Sequence, residues 1–341
     1  MSHSPIIADA PAPGRPVARA RHSGGFTLLE LLIAMTIGLV ILAASLLVFT
    51  SSSRGSRISE LETQLNEDGI LALNLIQQQL KQAGYSQQII PTNGAAVVGN
   101  YAGLAVRGCD NGFADTSVDF DLLTCATSTS PAAIAIRYQA TVENTMPTAS
   151  TPARPTNCLG NGIVSLTPSQ ASPAPVPAAA NYTLADNRYF VTTSGGHSNL
   201  SCRGSEANGA GSANIIGTAQ PLLLDVDQMV IRYGVASEGA LELAKSYSPM
   251  QHQIVSYLSA TEVDNLPVFG TIPDATQNRW GRVLSVRVCI VMRSEQPVAD
   301  APDGAFKYKT CDNTDATSTD NFLRRAFTTT VLLRNRLLVM S

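Results

Sequence analysis

Charge is scarce in this 341-residue chain: Asp, Glu, Lys and Arg together make up 14% of it. There is no basic excess either. The formal net charge is −3, and losing Arg15, Arg19, Arg21 and Asp9 with the first 25 residues would make it more negative, so nucleic acid is not an expected partner. Only four histidines occur, His3, His22, His197 and His252, and the first two lie at the N terminus. No G-x-S-x-G, no P-loop and no G-x-G-x-x-G after a strand is present, which removes the commonest hydrolase and nucleotide-binding readings. No C-x-x-C occurs, against zinc-ribbon and thioredoxin-like chemistry. No catalytic residue, metal ligand or cofactor is therefore assigned. His197 and Cys202 are a poor match to structural zinc spacing, and His197 is expected on a solvated loop.

Two Asp-rich stretches follow cysteines: Asp110, Asn111, Asp115, Asp119 and Asp121 after Cys109, and Asp312, Asn313, Asp315 and Asp320 after Cys311. Such oxygen donors suit calcium, but the EF-hand spacing is missing, and turns between strands are the expectation. Arg324, Arg325, Arg334 and Arg336 form a basic group. Outward positions on an edge strand are expected for them; contact with acidic neighbours or a DNA backbone is the alternative.

Charge is scarcest between Phe26 and Phe49, where Glu30 is the one charged side chain. As a helix this segment would span roughly 36 Å, enough for a bilayer core of about 30 Å. An ionisable group inside such a span is costly and marks a functional site by default. The segment is not an ordinary cleaved signal, because Leu46-Leu47-Val48-Phe49 prolongs the apolar run beyond the small residues Ala43-Ala44-Ser45. Residues 1–25 form a basic leader rich in Pro and Ala, placed on the cytoplasmic side by the positive-inside rule.

After Ser51 the pattern becomes amphipathic. Ile58, Leu61, Leu65, Ala72, Leu73, Ile76, Leu80 and Ala83 form one stripe, and Gly84 fits a C-terminal cap. One helix over 26–83 is predicted, with Gly38 and Gly55 as points where it could bend and its second half packed on a sheet. No further helix is predicted. Strand-like runs are Ala95–Val98, Gly103–Val106, Ala133–Tyr138, Tyr189–Thr192, Leu222–Val235, Val283–Met292 and Ala326–Leu333. In Val283–Met292, Leu284, Val286, Val288, Ile290 and Met292 alternate with Ser285, Arg287 and Cys289, the pattern of a half-buried antiparallel strand. Residues 141–181 and 194–220 read as surface loops. Cys109, Cys125, Cys158, Cys202, Cys289 and Cys311 all lie beyond the apolar segment, which suggests an oxidising compartment and disulfides. Six cysteines allow 15 pairings. Pairing of neighbours is the expectation: Cys109 with Cys125, Cys158 with Cys202, Cys289 with Cys311.

Gly25-Phe26-Thr27-Leu28-Leu29-Glu30 resembles the type IV prepilin signature. Later segments resemble the PilW-type minor pilins: Gln82-Ala83-Gly84-Tyr85, Val230–Val235, Val283–Val288, and Arg324–Phe327 with Thr330–Arg336. Residues 86–220 align with nothing familiar. Leu47 stands where many major pilins carry a helix-kinking proline, which argues for a minor subunit. The resemblance implies an α+β pilin-like fold, a long N-terminal helix packed on an antiparallel head. The expected organisation is a cleaved leader (1–25), a transmembrane helix (26–50), its amphipathic continuation (51–84) and a periplasmic β-rich head (85–341).

The resemblance also implies cleavage by prepilin peptidase between Gly25 and Phe26, N-methylation of Phe26, and pairing of Glu30 with the amine of a neighbouring subunit. Implied partners are the peptidase, other minor pilins, the major pilin, the inner-membrane assembly platform, and lipid through residues 26–49. The implied location is the inner membrane, single-pass with the head in the periplasm, and then the pilus at the cell surface. The implied function is priming of, and incorporation into, a type IV pilus. A type II secretion pseudopilin resembling the GspJ kind, and a pilus-tip adhesin or DNA-binding subunit, are the alternatives.

Overall fold

The computed structural model describes residues 25–89, 98–99, 103–165, 182–237, 253–268, 274–298 and 306–336. The chain divides into two units, residues 1–57 and 58–341. In the first, helix α1 (Leu28–Gln82) begins and runs without interruption through Gly38 and Gly55. No described residue before Ile58 is buried. The few hydroxyls in the apolar segment bond to the helix itself: Thr36 Oγ1 donates to the Ile33 carbonyl, Ser45 Oγ to Ile41 and Thr50 Oγ1 to Leu47. Each of these hydroxyls is thus paired within the helix.

In the second unit the rest of α1 buries the predicted stripe at Leu61, Leu65, Ala72, Ile76 and Leu80. Gly69 fills the gap in that stripe: a Cβ there would fall inside the ring of Phe327. The helix ends at Gly84 with φ 73°, the left-handed cap expected of glycine. Its last carbonyls are covered by one side chain, as Asn335 Nδ2 donates to Lys81 at 3.1 Å and to Gln82 at 3.2 Å.

Among the described residues, two larger antiparallel sheets and two small strand pairs make the head. Strands β1 (Gln88–Ile89) and β2 (Val98–Gly99) form a small separate pair. The larger sheet orders β3 (Val106–Cys109), β4 (Ala133–Gln139), β5 (Leu184–Ser194), β6 (His197–Ala207) and β7 (Asn214–Ile216), with β8 (Gln220–Leu223) also on β6. The second sheet contains β9 (Val226–Ala236), β10 (Ile254–Leu258), β11 (Val283–Arg293) and β14 (Arg324–Leu332), in the order β10-β9-β11-β14. A hairpin of β12 (Phe306–Lys309) and β13 (Asp315–Ser318) forms its own two-stranded sheet, with β12 against the start of β14. Both sheets meet α1. Gln79 Oε1 accepts from Tyr138 Oη at 3.0 Å and from Asn187 Nδ2 at 2.8 Å, and Phe327 of β14 covers Gly69. Burial pushes the Tyr138 hydroxyl up to about 12.

Several expectations need correction. Residues 194–220 are not a loop: β5 and β6 form a long hairpin through Gly195 and Gly196, both at positive φ, the two-residue turn that matches strand twist. Two short helices exist that the periodicity missed, α2 (Ala260–Asp264) and α3 (Ala275–Trp280). Their caps carry the signal. Ser259 and Glu262 make a full capping box, and Asp274 accepts from the Thr276 and Gln277 amides. Strand β11 is not half-buried; of its residues only Arg287 is exposed, because β9 and β14 flank it and both faces are covered. The run Leu222–Val235 is two strands, β8 and β9, separated at Asp225, whose φ is 60°. The run Gly103–Val106 shares only Val106 with β3, and of Ala95–Val98 only Val98 falls within the described residues. Residues 166–181 of the other predicted loop lie outside them; up to residue 165 that stretch holds no strand.

An ion cluster is buried against the larger sheet. Arg188 is fully buried and forks onto Asp186, Nε to Oδ1 at 3.1 Å and Nη2 to Oδ2 at 2.7 Å. Its Nη1 donates to the Thr116 carbonyl at 2.7 Å. Arg137 lies 3.8 Å from Asp186 and 3.3 Å from Asp121, stacked over the Phe120 ring. These contacts pin the 110–125 loop, already closed by the Cys109–Cys125 disulfide, onto the sheet.

Candidate functional site

The helix start that holds Glu30 is built by Thr27. As N-cap its carbonyl accepts from the amides of Glu30 and Leu31, both at 3.1 Å, and its Oγ1 accepts from the Glu30 amide at 3.2 Å. Thr27-x-x-Glu30 is the sequence of a capping box, and the Thr half of it is formed. The sequence reading missed Thr27, although the Thr-x-x-Glu spacing before an apolar run could have found it. Gly25 and Phe26 precede the helix, exposed and outside regular secondary structure, and no atom lies within 4 Å of where a Cβ on Gly25 would sit. The Gly25-Phe26 bond is thus sterically open, and Glu30 stands in the first turn of a helix long and apolar enough to cross a membrane. Residues 1–24 of the leader lie outside the described residues.

All six cysteines are in disulfides: Cys109–Cys125, Cys158–Cys202 and Cys289–Cys311, with Cα–Cα distances of 5.2, 6.5 and 5.7 Å. Each bridge ties a loop to a strand. Cys158 reaches β6, and Cys311, in the turn of the β12–β13 hairpin, reaches the central strand β11.

The Asp-rich stretches are spent on caps, turns and ion pairs. Asp110 accepts from the Ala260 and Thr261 amides at the start of α2. Burial pushes its carboxyl up, but the hydrogen bonds from Thr261 and Ala260 outweigh that and hold it below the ordinary value. Asp115 accepts from the Ser117 amide and hydroxyl. Asp312 pairs with Arg232 at 3.6 Å and Asp315 with Lys309 at 2.8 Å. Asp320 accepts two bonds from Arg324, each 2.6 Å, and Arg324 holds its carboxyl far below the usual range.

Two expectations about charged groups change here. His197 is not on a solvated loop; it opens β6 with Nδ1 2.8 Å from Asp225 Oδ1, which also accepts from Arg293 at 2.6 Å. Cys202, five residues along the strand, points to the other face and is bridged to Cys158. The basic group also divides. β14 is indeed an edge strand, but the Arg324 side chain is only 12% exposed and locked between Asp227 and Asp320, whereas Arg325 and Arg334 are exposed. Arg325 Nη1 donates to Asn66 Oδ1 of α1. The side chain of Arg336 lies outside the described residues.

Residues 188–335 match the family model described as Type IV Pilus-assembly protein W, and residues 20–46 match the Prokaryotic N-terminal methylation motif. No curated protein and no solved structure matches the chain. The first match runs from the buried Arg188 through β14 to Asn335, the side chain that closes α1, and the second covers Gly25, Phe26 and Glu30. A head similar to the one family and a stem similar to the other meet in a single polypeptide, the combination of a type IV pilus minor pilin.

Proposed function

We propose that this chain is cut by prepilin peptidase between Gly25 and Phe26, methylated at Phe26, and held in the inner membrane by residues 26–49 with its head in the periplasm. From there it joins other minor pilins and the major pilin at the inner-membrane assembly platform, and that assembly primes the pilus into which it is incorporated. Its work is associative; no covalent step on another molecule is assigned to it. One observation carries the reading. Glu30 is the one charge from Phe26 to Phe49, and it lies four residues after Phe26 of an exposed Gly25-Phe26 junction. An unpaired carboxylate in hydrocarbon costs about 2.5–3.5 kcal/mol near a span's centre, and a freed amine on a neighbouring Phe26 would compensate it. Support for a periplasmic head comes from three disulfides placed beyond the span and three arginines before it. The match to the PilW model favours a pilus over a secretion pseudopilus.

Glu30→Ala tests this role. The variant is expected to be processed and to accumulate in the membrane, yet to be missing from sheared pili. Normal incorporation of Glu30→Ala, at wild-type piliation, would remove the role given to Glu30.

A further inference from the structure

The edges of the two head sheets are not alike. On the larger sheet β3 has four residues and β7 three. On the second sheet β10 has five, with its register shifted between Ile254 and Ser256. Short and bulged edges of this kind discourage pairing with other chains. β14 is different. It runs for nine residues in unshifted register along β11, from Arg324–Arg293 to Leu332–Ser285. It has no Pro and no Gly, and it carries the β-prone Thr328-Thr329-Thr330-Val331. Among the described residues β11 is its one hydrogen-bonded strand partner; β12 lies near its first residues, Arg324–Ala326, and the stretch from Phe327 on pairs with no other strand. Arg325, Phe327, Thr329 and Val331 turn toward α1, as Phe327 over Gly69 and Arg325 on Asn66 show. Thr328, Thr330 and Leu332 are exposed on the opposite face beside Arg287.

Arg324 on this strand is neutralised by Asp227 and Asp320, which leaves the uncompensated charge beside the edge positive. Arg287, Arg325 and Arg334 are exposed, and among the described residues none of them has a carboxylate at salt-bridge distance. This stands out in a chain with a net charge of −3. Antiparallel pairing of β14 with a second copy of itself would bring Arg325 of one chain near Arg334 of the other, like charge on like. An acidic strand meets no such penalty.

We infer that β14 is a docking edge, and that its occupant is an extended acidic segment of a different pilus subunit, added as a fifth strand beyond β14. Main-chain bonds would supply affinity, and the three arginines would set partner and direction. The inference rests on the reading of the chain as a pilus subunit.

The test uses the full-length chain in cells, with a photo-crosslinking amino acid at Thr330 or, as control, at the exposed Thr193 of the β5–β6 hairpin. The expected result is an adduct from Thr330, and not from Thr193, to another pilus subunit through an acidic extended segment identified by mass spectrometry. Reversing Arg325 and Arg334 to Glu together should cut that adduct by about tenfold at unchanged protein level. No adduct, an adduct only to a second copy, equal yield from Thr193, or a yield indifferent to the reversal would overturn the docking edge. Presence of the unsubstituted chain in sheared pili is scored separately. Presence without a Thr330 adduct defeats the docking edge alone; absence defeats the subunit reading and the edge with it.

Discussion

Asp186→Asn should damage the head more than its single-atom change suggests. Arg188 is fully buried, and Asp186 supplies its forked partner through bonds of 3.1 and 2.7 Å. The amide that replaces the carboxylate removes the negative charge and turns one acceptor into a donor facing a guanidinium N–H. Arg188 keeps the Thr116 carbonyl, which is a hydrogen bond but no countercharge. Breaking a buried pair by removing one partner costs about 3–5 kcal/mol, a large share of the about 5–15 kcal/mol that holds a domain folded. At roughly 2 °C per kcal/mol for a large unit, the melting midpoint of the detergent-solubilised protein should fall by roughly 6–10 °C, read by circular dichroism. Asp186→Leu with Arg188→Met removes both charges and should recover most of the loss, because well-packed apolar residues replace a buried ion pair at little net cost. A fall under about 2 °C for Asp186→Asn would refute the reasoning. So would a double variant as damaged as the single one, since the cost would then come from packing and not from an unpaired charge.

Gly69→Val drives a branched side chain into the Phe327 ring, so it should cost about 1–3 kcal/mol by overpacking. Gly55→Ala, with open space around it, should be neutral or gain up to about 1 kcal/mol from helix propensity. Denaturant midpoints that rank the two the other way would show that α1 does not seat on β14 through Gly69. The midpoint should also depend on acid. Asp320, held down by Arg324, and Asp110, held down by the Thr261 and Ala260 bonds, have folded values below their unfolded ones. Their contribution is complete above about pH 5 and is lost as pH falls through the folded values. Melting midpoints should therefore be flat near neutrality and drop below about pH 4, and Asp320→Asn should drop less steeply. An equal slope for the variant would take Asp320 out of the account.

What the sequence made legible follows from how strongly each period is enforced. The stem is fixed by composition alone, since few arrangements suit an apolar run bearing one carboxylate. Its second half repeats Leu61, Leu65, Ala72, Ile76 and Leu80 on one face, and that face is the buried one. Val283–Met292 reads as a strand because its alternation is clean, yet its burial on both faces depends on β9 and β14, distant segments that no local pattern reveals. The β5–β6 hairpin was hidden by its own polarity. Asn187, Arg188, Asn199 and Ser201 are buried strand residues satisfied by partners far along the chain, and only Gly195-Gly196 marks the turn. The short helices are written in caps and not in periodicity. Arg324 and His197 show the same limit, because whether a charge is solvated or locked depends on Asp227, Asp320 and Asp225 arriving from elsewhere.

The central claim is that the chain is made as a prepilin and matures at one bond. N-terminal sequencing and intact mass of the protein purified from membranes test it most directly. The account predicts a mature chain that begins at Phe26, methylated on its amine and lighter by residues 1–25. A mature chain that keeps Gly25, or begins at any other residue, would contradict it.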